Sequence, residues 1–403
     1  MAKPLESVKV IEIGQEIQGP FAGLFLADMG ADVVKVENKE TGDLSRWMLP
    51  KLIGGDNVRN AEVPHYFIAM NRGKRSITVD LKKADGVEVV KRMSKSYDVL
   101  LTNYRPGVLD RLGLGYETLR AINPRIIFAQ GSSWGPQGPW VGRPSRDTLA
   151  QAASGIMAKT GLDSDPPLAC GFLAADHMGA LSLAGGIIAA LFARERTGKG
   201  SRVDASIYGT AIAVQAMEIN YTSITGQEPE RAGRGHQFLH GVWGAFPTKD
   251  GWVCLAGVDD KRWPAFCRIL GIQHLEKDPE YGDNVRRNFH GDKIQSVLDS
   301  IFPNKTTREW LAELNEADIL ATEVVDYTRL LESEQARANG YLRELDHPVA
   351  GQVVVAGSPV QINGEIEKEA RPAPEHGQHT EEVLLELGYA WEEIASLRKS
   401  GAV

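Results

Sequence analysis

Near its N-terminus the chain contains Val8-Lys-Val-Ile-Glu-Ile-Gly14, a run rich in β-branched residues that predicts a strand. Gly19-Pro-Phe-Ala-Gly-Leu-Phe-Leu-Ala-Asp-Met-Gly30 follows with apolar residues at helical spacing, and Ala31-Asp-Val-Val-Lys-Val-Glu37 predicts a second strand. A strand, a helix and a strand in this order form a β-α-β unit, whose two strands lie parallel. This stretch therefore predicts an α/β fold with a parallel sheet.

The alternation of strands and helices continues beyond this unit. Further strands are predicted over Asn71–Asp80, Asp98–Asn103, Arg125–Gln130 and Ser201–Ile207. Helices are predicted through Val87, Val90 and Met93, and over Tyr116–Ile122 and Asp147–Met157. The first domain is therefore expected to close near residue 205.

The loop from Gly14 to Pro20 is superficially similar to a dinucleotide-binding loop. Glu37 also stands where such folds place an acid that binds the ribose. However, the loop lacks the spacing of the G-x-G-x-x-G fingerprint. A nicotinamide-dependent dehydrogenase is therefore only a minor alternative.

Basic residues lie in or near the loops that adjoin the predicted strands. In an open α/β sheet, the loops at the carboxyl ends of the strands form the ligand crevice. We expect Lys74, Arg75, Arg105 and Arg111 to gather there as a cationic edge. The simpler interpretation of each residue alone is a solvated surface charge.

Gly131-Ser-Ser-Trp-Gly135 satisfies the G-x-S-x-G pattern of the nucleophile elbow in α/β-hydrolases. That motif needs a helix directly after the serine, whereas Pro136 and Pro139 follow here. A turn that lines the ligand pocket is therefore the preferred interpretation, and a serine hydrolase is not expected.

Asp176 lies in Gly171-Phe-Leu-Ala-Ala-Asp-His-Met-Gly-Ala180, just before a long apolar segment. Met178 to Ala193 carries no charge, and Gly198 follows its basic last turn, which predicts a buried helix. A carboxylate at a helix N-terminus is stabilised by roughly 0.3–1 kcal/mol, which favours its ionised and nucleophilic form. The simpler interpretation is that Asp176 only caps the helix.

After the first domain the pattern changes. Gly244 to Ala256 predicts a hairpin that turns at Lys249-Asp-Gly251, and helical segments follow it. The predicted organisation is a large domain over residues 1–205, a linker over 206–226, a small α+β domain over 227–325, a linker segment over 326–379, and a C-terminal segment, 380–403, that returns to the large domain.

Composition and charge narrow the function. The 403 residues carry a net charge of −8, which argues against nucleic acid as a partner. Cys170, Cys254 and Cys267 are too widely spaced for a disulfide framework, and His236 and His240 lack a nearby acidic or cysteine partner, so no metal is expected. Since no charged leader is evident and the longest apolar run is shorter than a membrane span, we expect a cytoplasmic protein with no membrane partner.

Several short motifs occur in a specific order and spacing, although each is weak alone. They are Val10-Ile-Glu with Gly19-Pro, Glu37 with Gly42-Asp43, Asn71 with Lys74-Arg-Ser, Asn103-Tyr-Arg-Pro-Gly with Leu109-Asp-Arg-Leu-Gly113, Ala150-Gln-Ala-Ala-Ser-Gly155, Thr160-Gly161 and Arg196-Thr-Gly-Lys-Gly200. Together they resemble the class III CoA-transferases, also called the CaiB/BaiF family. The resemblance covers nearly the whole chain and implies a Rossmann-like large domain, a smaller domain and an interlocked homodimer.

By this resemblance Asp176 is the catalytic nucleophile. The residues implied to contact CoA are Gln15, Glu16, Ile17, Gln18, Lys74, Arg75, Asn103, Tyr104, Arg105, Arg111 and Ser132. Asn38 stands where formyl-CoA transferase has an arginine, so the phosphate contact of that arginine does not carry over, and Ser132 replaces a lysine of that relative, so oxalate specificity does not transfer. Gly233-Arg-Gly235 is the candidate for the family's glycine-rich flap, and Arg146 is a candidate substrate contact.

The implied reaction moves CoA from an acyl-CoA donor to a small carboxylic acid, through an aspartyl anhydride and an aspartyl-CoA thioester. It needs no permanently bound cofactor, because coenzyme A and acyl-CoA are substrates. A 2-methylacyl-CoA racemase of the same superfamily is one alternative, although Arg146 stands where such relatives carry a histidine base. A non-catalytic CoA-binding protein is another.

Overall fold

A computed structural model describes residues 3–55, 57–366 and 370–403 of the chain. The strands are β1 (Lys9–Ile13), β2 (Asp32–Glu37), β3 (Arg75–Thr78), β4 (Val99–Thr102), β5 (Ile127–Ser132), β6 (Arg202–Ser206), β7 (Trp243–Pro247), β8 (Trp252–Ala256), β9 (Ala321–Glu323), β10 (Leu342–His347) and β11 (Gly351–Ala356). The helices are α1 (Gln18–Asp28), α2 (Lys51–Gly54), α3 (His65–Asn71), α4 (Ala84–Ser94), α5 (Val108–Arg111), α6 (Tyr116–Ile122), α7 (Asp147–Ser154), α8 (Ile156–Lys159), α9 (Ala174–Thr197), α10 (Ile207–Ala213), α11 (Ala216–Thr225), α12 (Trp263–Leu270), α13 (Gln273–Glu276), α14 (Asn284–Phe289), α15 (Gly291–Ile301), α16 (Thr307–Glu316), α17 (Tyr327–Leu330), α18 (Glu334–Ala338), α19 (Thr380–Glu386) and α20 (Trp391–Ser400). Short 3₁₀ helices lie at Leu44–Trp47 and Phe302–Asn304.

The first six strands form one parallel sheet in the order β3-β2-β1-β4-β5-β6. This is the strand order of the doubly wound folds that bind dinucleotides. The register pairs Val10 with Val33 on one side of β1 and with Val99 on the other. The parallel α/β sheet predicted from the β-α-β pattern is confirmed.

Helices cover both faces of this sheet, which explains why its strands are nearly continuous apolar runs. On one face, buried side chains of α1 and α9, including Leu26 and Leu183, pack against Val10. On the other face, α4, α6, α19 and α20 pack against the strands through residues such as Met93 and Leu384. The C-terminal helices α19 and α20 are therefore part of the layer that closes the sheet.

The chain divides into two compact units. The large unit comprises Met1–Ser154, Phe172–Val214 and Ser333–Val403, and the small unit comprises Gly155–Gly171 and Gln215–Glu332. Residues 206–226, expected as a linker, form α10 and α11, and the 326–379 segment contains the antiparallel hairpin of β10 and β11.

The small unit contains the antiparallel sheet β7-β8-β9. β7 and β8 form the predicted hairpin around Lys249–Gly251, and β9 adds a third strand beside β8. Helices α12, α15 and α16 cover this sheet and bury Phe246, Phe266, Leu298 and Trp310. This unit has its own apolar core.

Among the described residues α9 is the longest helix, with 24 residues. Gly198 ends it in the left-handed conformation, as predicted, but the helix begins four residues before Met178, so Asp176 lies inside it. By length and composition α9 could cross a membrane, contrary to the expectation from the apolar run. Its residues Leu183 and Ile187 are fully buried against the sheet, however, as a core helix of an α/β layer requires.

Candidate active site

Asp176 lies in the first turn of α9. Since α9 leads by a short turn into the parallel strand β6, its first turn lies at the carboxyl edge of the sheet, where α/β folds bind ligands. Leu173 precedes the helix without a side-chain capping bond, and the backbone N–H of Asp176 donates to Oδ1 of Asp147 at 3.0 Å. Asp176 is therefore not the cap. Asp147 satisfies this end of the helix, which leaves the carboxylate of Asp176 available for chemistry.

Asp147 is the first residue of α7, and only 2% of it is exposed. Its second oxygen, Oδ2, accepts a hydrogen bond from Nε2 of Gln151 at 2.5 Å. In the described part of the chain no cation lies within 4 Å of this carboxylate. The buried negative charge of Asp147 is therefore held by hydrogen bonds alone.

The electrostatic surroundings of Asp176 disfavour its ionised form. Burial raises the pKa of Asp176 to about 7, the charges of Asp147 and Glu16 add to the effect, and Arg146 opposes it. A helix N-terminus contributes less than about 1 kcal/mol, which is less than one pKa unit. The expectation that the helix end keeps Asp176 ionised is therefore wrong on balance. Near neutral pH the protonated and ionised forms coexist.

The loop that precedes α1 is held by hydrogen bonds at Gln15 and Glu16. Gln15 donates its N–H to Oδ1 of Asn103 at 3.0 Å and accepts from Nδ2 of the same residue at 2.8 Å. Glu16 has a φ of 62°, which costs a non-glycine residue about 1 kcal/mol or more, and its N–H donates to Oδ1 of Asp43 at 3.1 Å. The carboxylate of Glu16 meets Nη1 of Arg146 at 3.2 Å. The loop is therefore held in a strained conformation by its neighbours.

Glu12, Lys35, Asp43 and Lys74 form a buried ion cluster under this loop. Nζ of Lys35 lies 2.8 Å from Glu12 and 2.7 Å from Asp43, and Nζ of Lys74 lies 2.7 Å from Glu12. Burial alone would lower the pKa of Lys35, but the two carboxylates outweigh it and the pKa is raised. Lys35 also donates to the carbonyl oxygen of Gly14 at 3.0 Å. The cluster therefore supports the strained loop.

Lys74 differs from its expected role at the cationic edge. Its ammonium group donates to Glu12, to the carbonyl oxygen of Pro20 at 2.7 Å and to Oδ1 of Asn71 at 2.9 Å. An ammonium group has three donors, so none is left for a ligand. Burial lowers the pKa of Lys74 to about 8, with Lys35 adding to the shift and Glu12 opposing it.

Arg75 also differs from expectation, because it begins β3 and so lies at the opposite edge of the sheet from the carboxyl ends. Its guanidinium group forms a bidentate pair with Asp32 and contacts Glu382 and Glu386 at 2.9 and 2.8 Å. The prediction that Lys74 and Arg75 gather with the other basic residues is therefore wrong. By contrast, Arg105 and Arg111 are exposed after β4 and form no ion pair with the described residues.

A cavity of about 270 Å³ opens at the carboxyl ends of β2, β3 and β4. Its lining includes Asn38, Lys82, Tyr104 and Val108. The side chain of Asn38 accepts from the backbone N–H groups of the following turn rather than from a basic residue. The cavity adjoins the loop that carries Arg105.

The remaining predicted residues of the large unit are buried. Ile17 is 2% exposed and Gln18 is 5% exposed. The side chain of Gln18 passes so close to Gly131 that a Cβ there would lie 2.7 Å from its Oε1, so a larger residue at position 131 would displace the Gln18 side chain. Ser132 ends β5, accepts from the N–H of Gly135 at 3.2 Å, and is followed by no helix before α7. The serine-nucleophile geometry is therefore missing.

Gly233 and Gly235 belong to the small unit. Gly233 has a φ of 56°, and its N–H donates to the carbonyl oxygen of Gly161 at 3.1 Å. A Cβ on Gly235 would contact the backbone of Gly244 at 3.1 Å. The segment is thus a tight turn packed on its own unit.

Tyr66 on α3 is a site residue that the sequence pattern did not indicate. Burial raises the pKa of Tyr66, and the charges of Glu16 and Asp176 raise it further, so its phenol stays protonated beside the acids. For Lys35 and Glu12 the sequence does contain a signal of a buried ion pair. Both residues lie inside apolar strands, where charged residues are rarely buried without partners.

Comparison with known proteins identifies the family. The sequence model described as CoA-transferase family III matches residues 5–380. The chain is 32% identical to human succinyl-CoA:glutarate CoA-transferase over its full length and 90% of that protein. It is also 32% identical to acetyl-CoA:oxalate CoA-transferase of Acetobacter aceti, over 92% of each chain.

Solved structures agree with the sequence comparison. A CaiB/BaiF family protein from Brucella suis superposes with a TM-score of 0.84 at 29% identity, covering 96% of this chain and all of the other. The chain therefore belongs to CoA-transferase family III, and it is an enzyme of that class.

Proposed function

We propose that the enzyme transfers CoA from an acyl-CoA thioester to a carboxylic acid through covalent intermediates on Asp176. The observation that carries this proposal is the position of Asp176. Its carboxylate lies on the first turn of α9, is not used for capping, and is surrounded by acids that disfavour its free ionised form. A carboxylate in such a site is a candidate nucleophile with a physical rationale.

The first half of the reaction forms the enzyme thioester. An oxygen of ionised Asp176 attacks the thioester carbonyl carbon, the C–S bond breaks, and CoA thiolate leaves a mixed anhydride. The thiolate then attacks Cγ of Asp176 and displaces the donor's carboxylate, which gives an aspartyl-CoA thioester. The acceptor acid repeats these steps in reverse order, so no redox change or net proton transfer is needed.

The acids around Asp176 favour these intermediates. Once Asp176 is acylated it carries no charge, so its repulsion by Asp147 and Glu16 disappears. A carboxylate with a raised pKa is also the more basic nucleophile once it is ionised. Both effects move the equilibrium from the free carboxylate toward the covalent forms.

CoA binding is assigned to the carboxyl edge of the large unit. The 270 Å³ cavity near Asn38 and Tyr104 would take part of the nucleotide, and the exposed Arg105 and Arg111 would meet its phosphates. The backbone of the loop that precedes α1 would lie along the pantetheine arm. Lys74 and Arg75 support the fold instead, since their donors are used by protein groups. The proposed CoA contacts of this loop and edge are Gln15, Glu16, Asn103, Tyr104, Arg105 and Arg111, whereas Ile17, Gln18 and Ser132 are buried.

The acceptor is assigned as a small dicarboxylic acid. The relatives named above are described as acting on glutarate and on oxalate, both of which carry two carboxylates. Arg146, whose side chain is 77% exposed beside Asp176, supplies a cation for the carboxylate that does not react. Its guanidinium group cannot serve as the base of a racemase near neutral pH, because its pKa is above about 12.

We also assign an interlocked homodimer. The outward face of α9 is uncharged from Met178 to Ala193 and leaves Phe192 60% exposed. In the small unit, Ile224 of α11 is 83% exposed. Leu181, Gly185, Ala189 and Phe192 are exposed on one face of α9, and a contiguous exposed apolar stripe of this kind marks a contact surface. Sedimentation at micromolar concentration should show a dimer, and a stable monomer would contradict this assignment.

The test of the proposed function is a screen of acyl-CoA donors against mono- and dicarboxylic acids, with products measured by mass spectrometry. New acyl-CoA should form from at least one donor and one acid. The same reactions run in deuterium oxide with a 2-methylacyl-CoA should leave the α-carbon unlabelled. Rapid labelling without transfer to any acid would replace the transferase with a racemase.

A further inference from the structure

Arg146 and Glu16 form an ion pair beside the nucleophile. Nη1 of Arg146 lies 3.2 Å from Oε2 of Glu16, and their side chains are 77% and 35% exposed. Arg146 directly precedes Asp147, whose carboxylate accepts the backbone N–H of Asp176 at 3.0 Å, so the pair lies next to the first turn of α9. The pair therefore lies where an acceptor acid must approach.

Backbone contacts of the loop, rather than contacts of its side chain, fix the position of Glu16. Asn103 forms hydrogen bonds with the backbone of Gln15, the residue before Glu16. Asp43 accepts the backbone N–H of Glu16, whose backbone has the left-handed conformation. Strained residues of this kind persist where the surroundings enforce them, and they cluster at functional sites. The loop thus places the carboxylate of Glu16 next to the guanidinium group of Arg146.

Glu16 is the only acid within 4 Å of the Arg146 guanidinium in the part of the chain that the structure describes. An exposed ion pair contributes little to stability, because water screens it and two side chains must be ordered. Such a contact is easily exchanged for another carboxylate. A guanidinium group accepts any carboxylate of suitable geometry.

We propose that Glu16 occupies Arg146 in place of an acceptor carboxylate and that a dicarboxylate acceptor displaces it. This inference rests on the proposed function and adds a selection step to it. A dicarboxylate exchanges its second carboxylate for Glu16 on Arg146 while its first carboxylate attacks the aspartyl thioester. A monocarboxylate has no second carboxylate for this exchange. Glu16 therefore stays paired with Arg146, and the monocarboxylate forms no ion pair with Arg146.

The test is a double-mutant cycle of Glu16→Gln and Arg146→Gln, with succinyl-CoA as donor. The acceptors are glutarate and pentanoate, which have the same number of carbons and differ in the second carboxylate. Assays are run at pH 8.5, so that Asp176 is ionised in every variant. We expect Arg146→Gln to raise KM for glutarate at least about tenfold and to change KM for pentanoate by less than about twofold.

Removal of the competing carboxylate should have the opposite effect. Glu16→Gln should lower KM for glutarate about three- to fivefold, a factor of the size expected for an exposed ion pair. The same substitution made in the Arg146→Gln background should leave KM for glutarate unchanged. The matched control is Glu117→Gln with Arg120→Gln, an exposed pair on α6 at 2.7 Å, which should leave both values unchanged.

Two results would overturn the inference. An equal fall in KM for glutarate in both backgrounds would mean that Glu16 only repels anions, and no fall in either would mean that it does not compete. Exchange of labelled CoA into succinyl-CoA without any acceptor reports the anhydride step separately. If this exchange occurs but only monocarboxylates accept CoA, the selection step fails and the proposed function stands. If neither exchange nor transfer occurs with any donor, the proposed function fails.

Discussion

Two groups of buried or partly buried charges lie near the start of α1 and differ in their balance. The buried ion cluster pairs two ammonium groups, Lys35 and Lys74, with two carboxylates, Glu12 and Asp43. The group around Asp176 instead holds three carboxylates, with Asp147 and Glu16, and one guanidinium group, that of Arg146. The first group is compensated, and the second is not.

This difference separates a structural role from a chemical one. In the buried ion cluster, attraction outweighs burial and lowers the pKa of Asp43, so its charges are fixed and hold the loop in place. Around Asp176, burial and the repulsion by Asp147 and Glu16 act together and raise the pKa of Asp176. The uncharged form of this carboxyl group is therefore favoured. Forming a covalent bond to a donor's acyl group is one way to lose it. The compensated cluster positions the loop, and the uncompensated group contains the proposed nucleophile, Asp176.

The largest effect is expected for Asp176→Asn, which removes the nucleophile but keeps the size of the side chain. Steady-state assays of acyl transfer should show a loss of at least about 10⁴-fold in kcat/KM, because the covalent route is closed. The backbone N–H of residue 176 still donates to Asp147, so the fold should be retained. Near-normal turnover in this variant would remove Asp176 from the mechanism.

The next largest effect is expected when the compensated cluster is broken. Lys35→Met leaves Glu12 and Asp43 without their shared cation, and breaking a buried pair costs about 3–5 kcal/mol. Urea unfolding should show this loss in the free energy of unfolding. The double variant Glu12→Gln with Lys35→Met should recover part of it, whereas equal losses would mean that charge balance is not what stabilises the cluster.

A smaller effect tests the uncompensated group. Asp147→Asn removes one like charge but keeps an oxygen to accept from the N–H of Asp176. The acid limb of the pH profile of kcat/KM, expected near pH 7, should move down by about one unit. Glu117→Gln on the surface of α6 is the control and should not move it. A fall in kcat without any shift of the limb would make Asp147 a structural residue only.

A further effect concerns the stability of the Asp176→Asn variant. The pKa of Asp176 is raised from an ordinary value of 3.8 to about 7 in the folded state, so the folded protein holds this proton more tightly than the unfolded chain. Wild-type stability should therefore fall as pH rises from about 4 to 7. The variant avoids this loss, so calorimetry should show a higher Tm than wild type at pH 8 and no difference near pH 3.5. A lower Tm at pH 8 would point to a capping role instead.

The sheet could be predicted from the sequence because its strands are buried on both faces. Each strand is a short apolar run followed by a helical pattern, as in Val8 to Glu37, and the observed strands lie within a few residues of the predicted ones. The start of α9 was placed too late. Asp176 resembles a capping residue, whereas Leu173, which precedes the helix, does not.

The site could be predicted only in part. Asp176 and the loop around Glu16 came from the family resemblance, and their positions at one edge of the sheet agree with it. The contacts of Lys74 with Glu12 and of Asp147 with Asp176 could not be predicted, since these partners lie 62 and 29 residues away along the chain. A basic residue in a loop looks the same in sequence whether it faces solvent or a buried acid.

Chemical trapping is the most direct test of whether Asp176 is the nucleophile. The enzyme is incubated with acyl-CoA, hydroxylamine is added, and peptides are mapped by mass spectrometry over a range of pH. A hydroxamate should form on Asp176, with a yield that rises with pH through about 7 as the carboxylate ionises. A modification on Ser132 or Ser133 instead, or none on Asp176 while transfer proceeds, would contradict the assignment of Asp176 as the nucleophile.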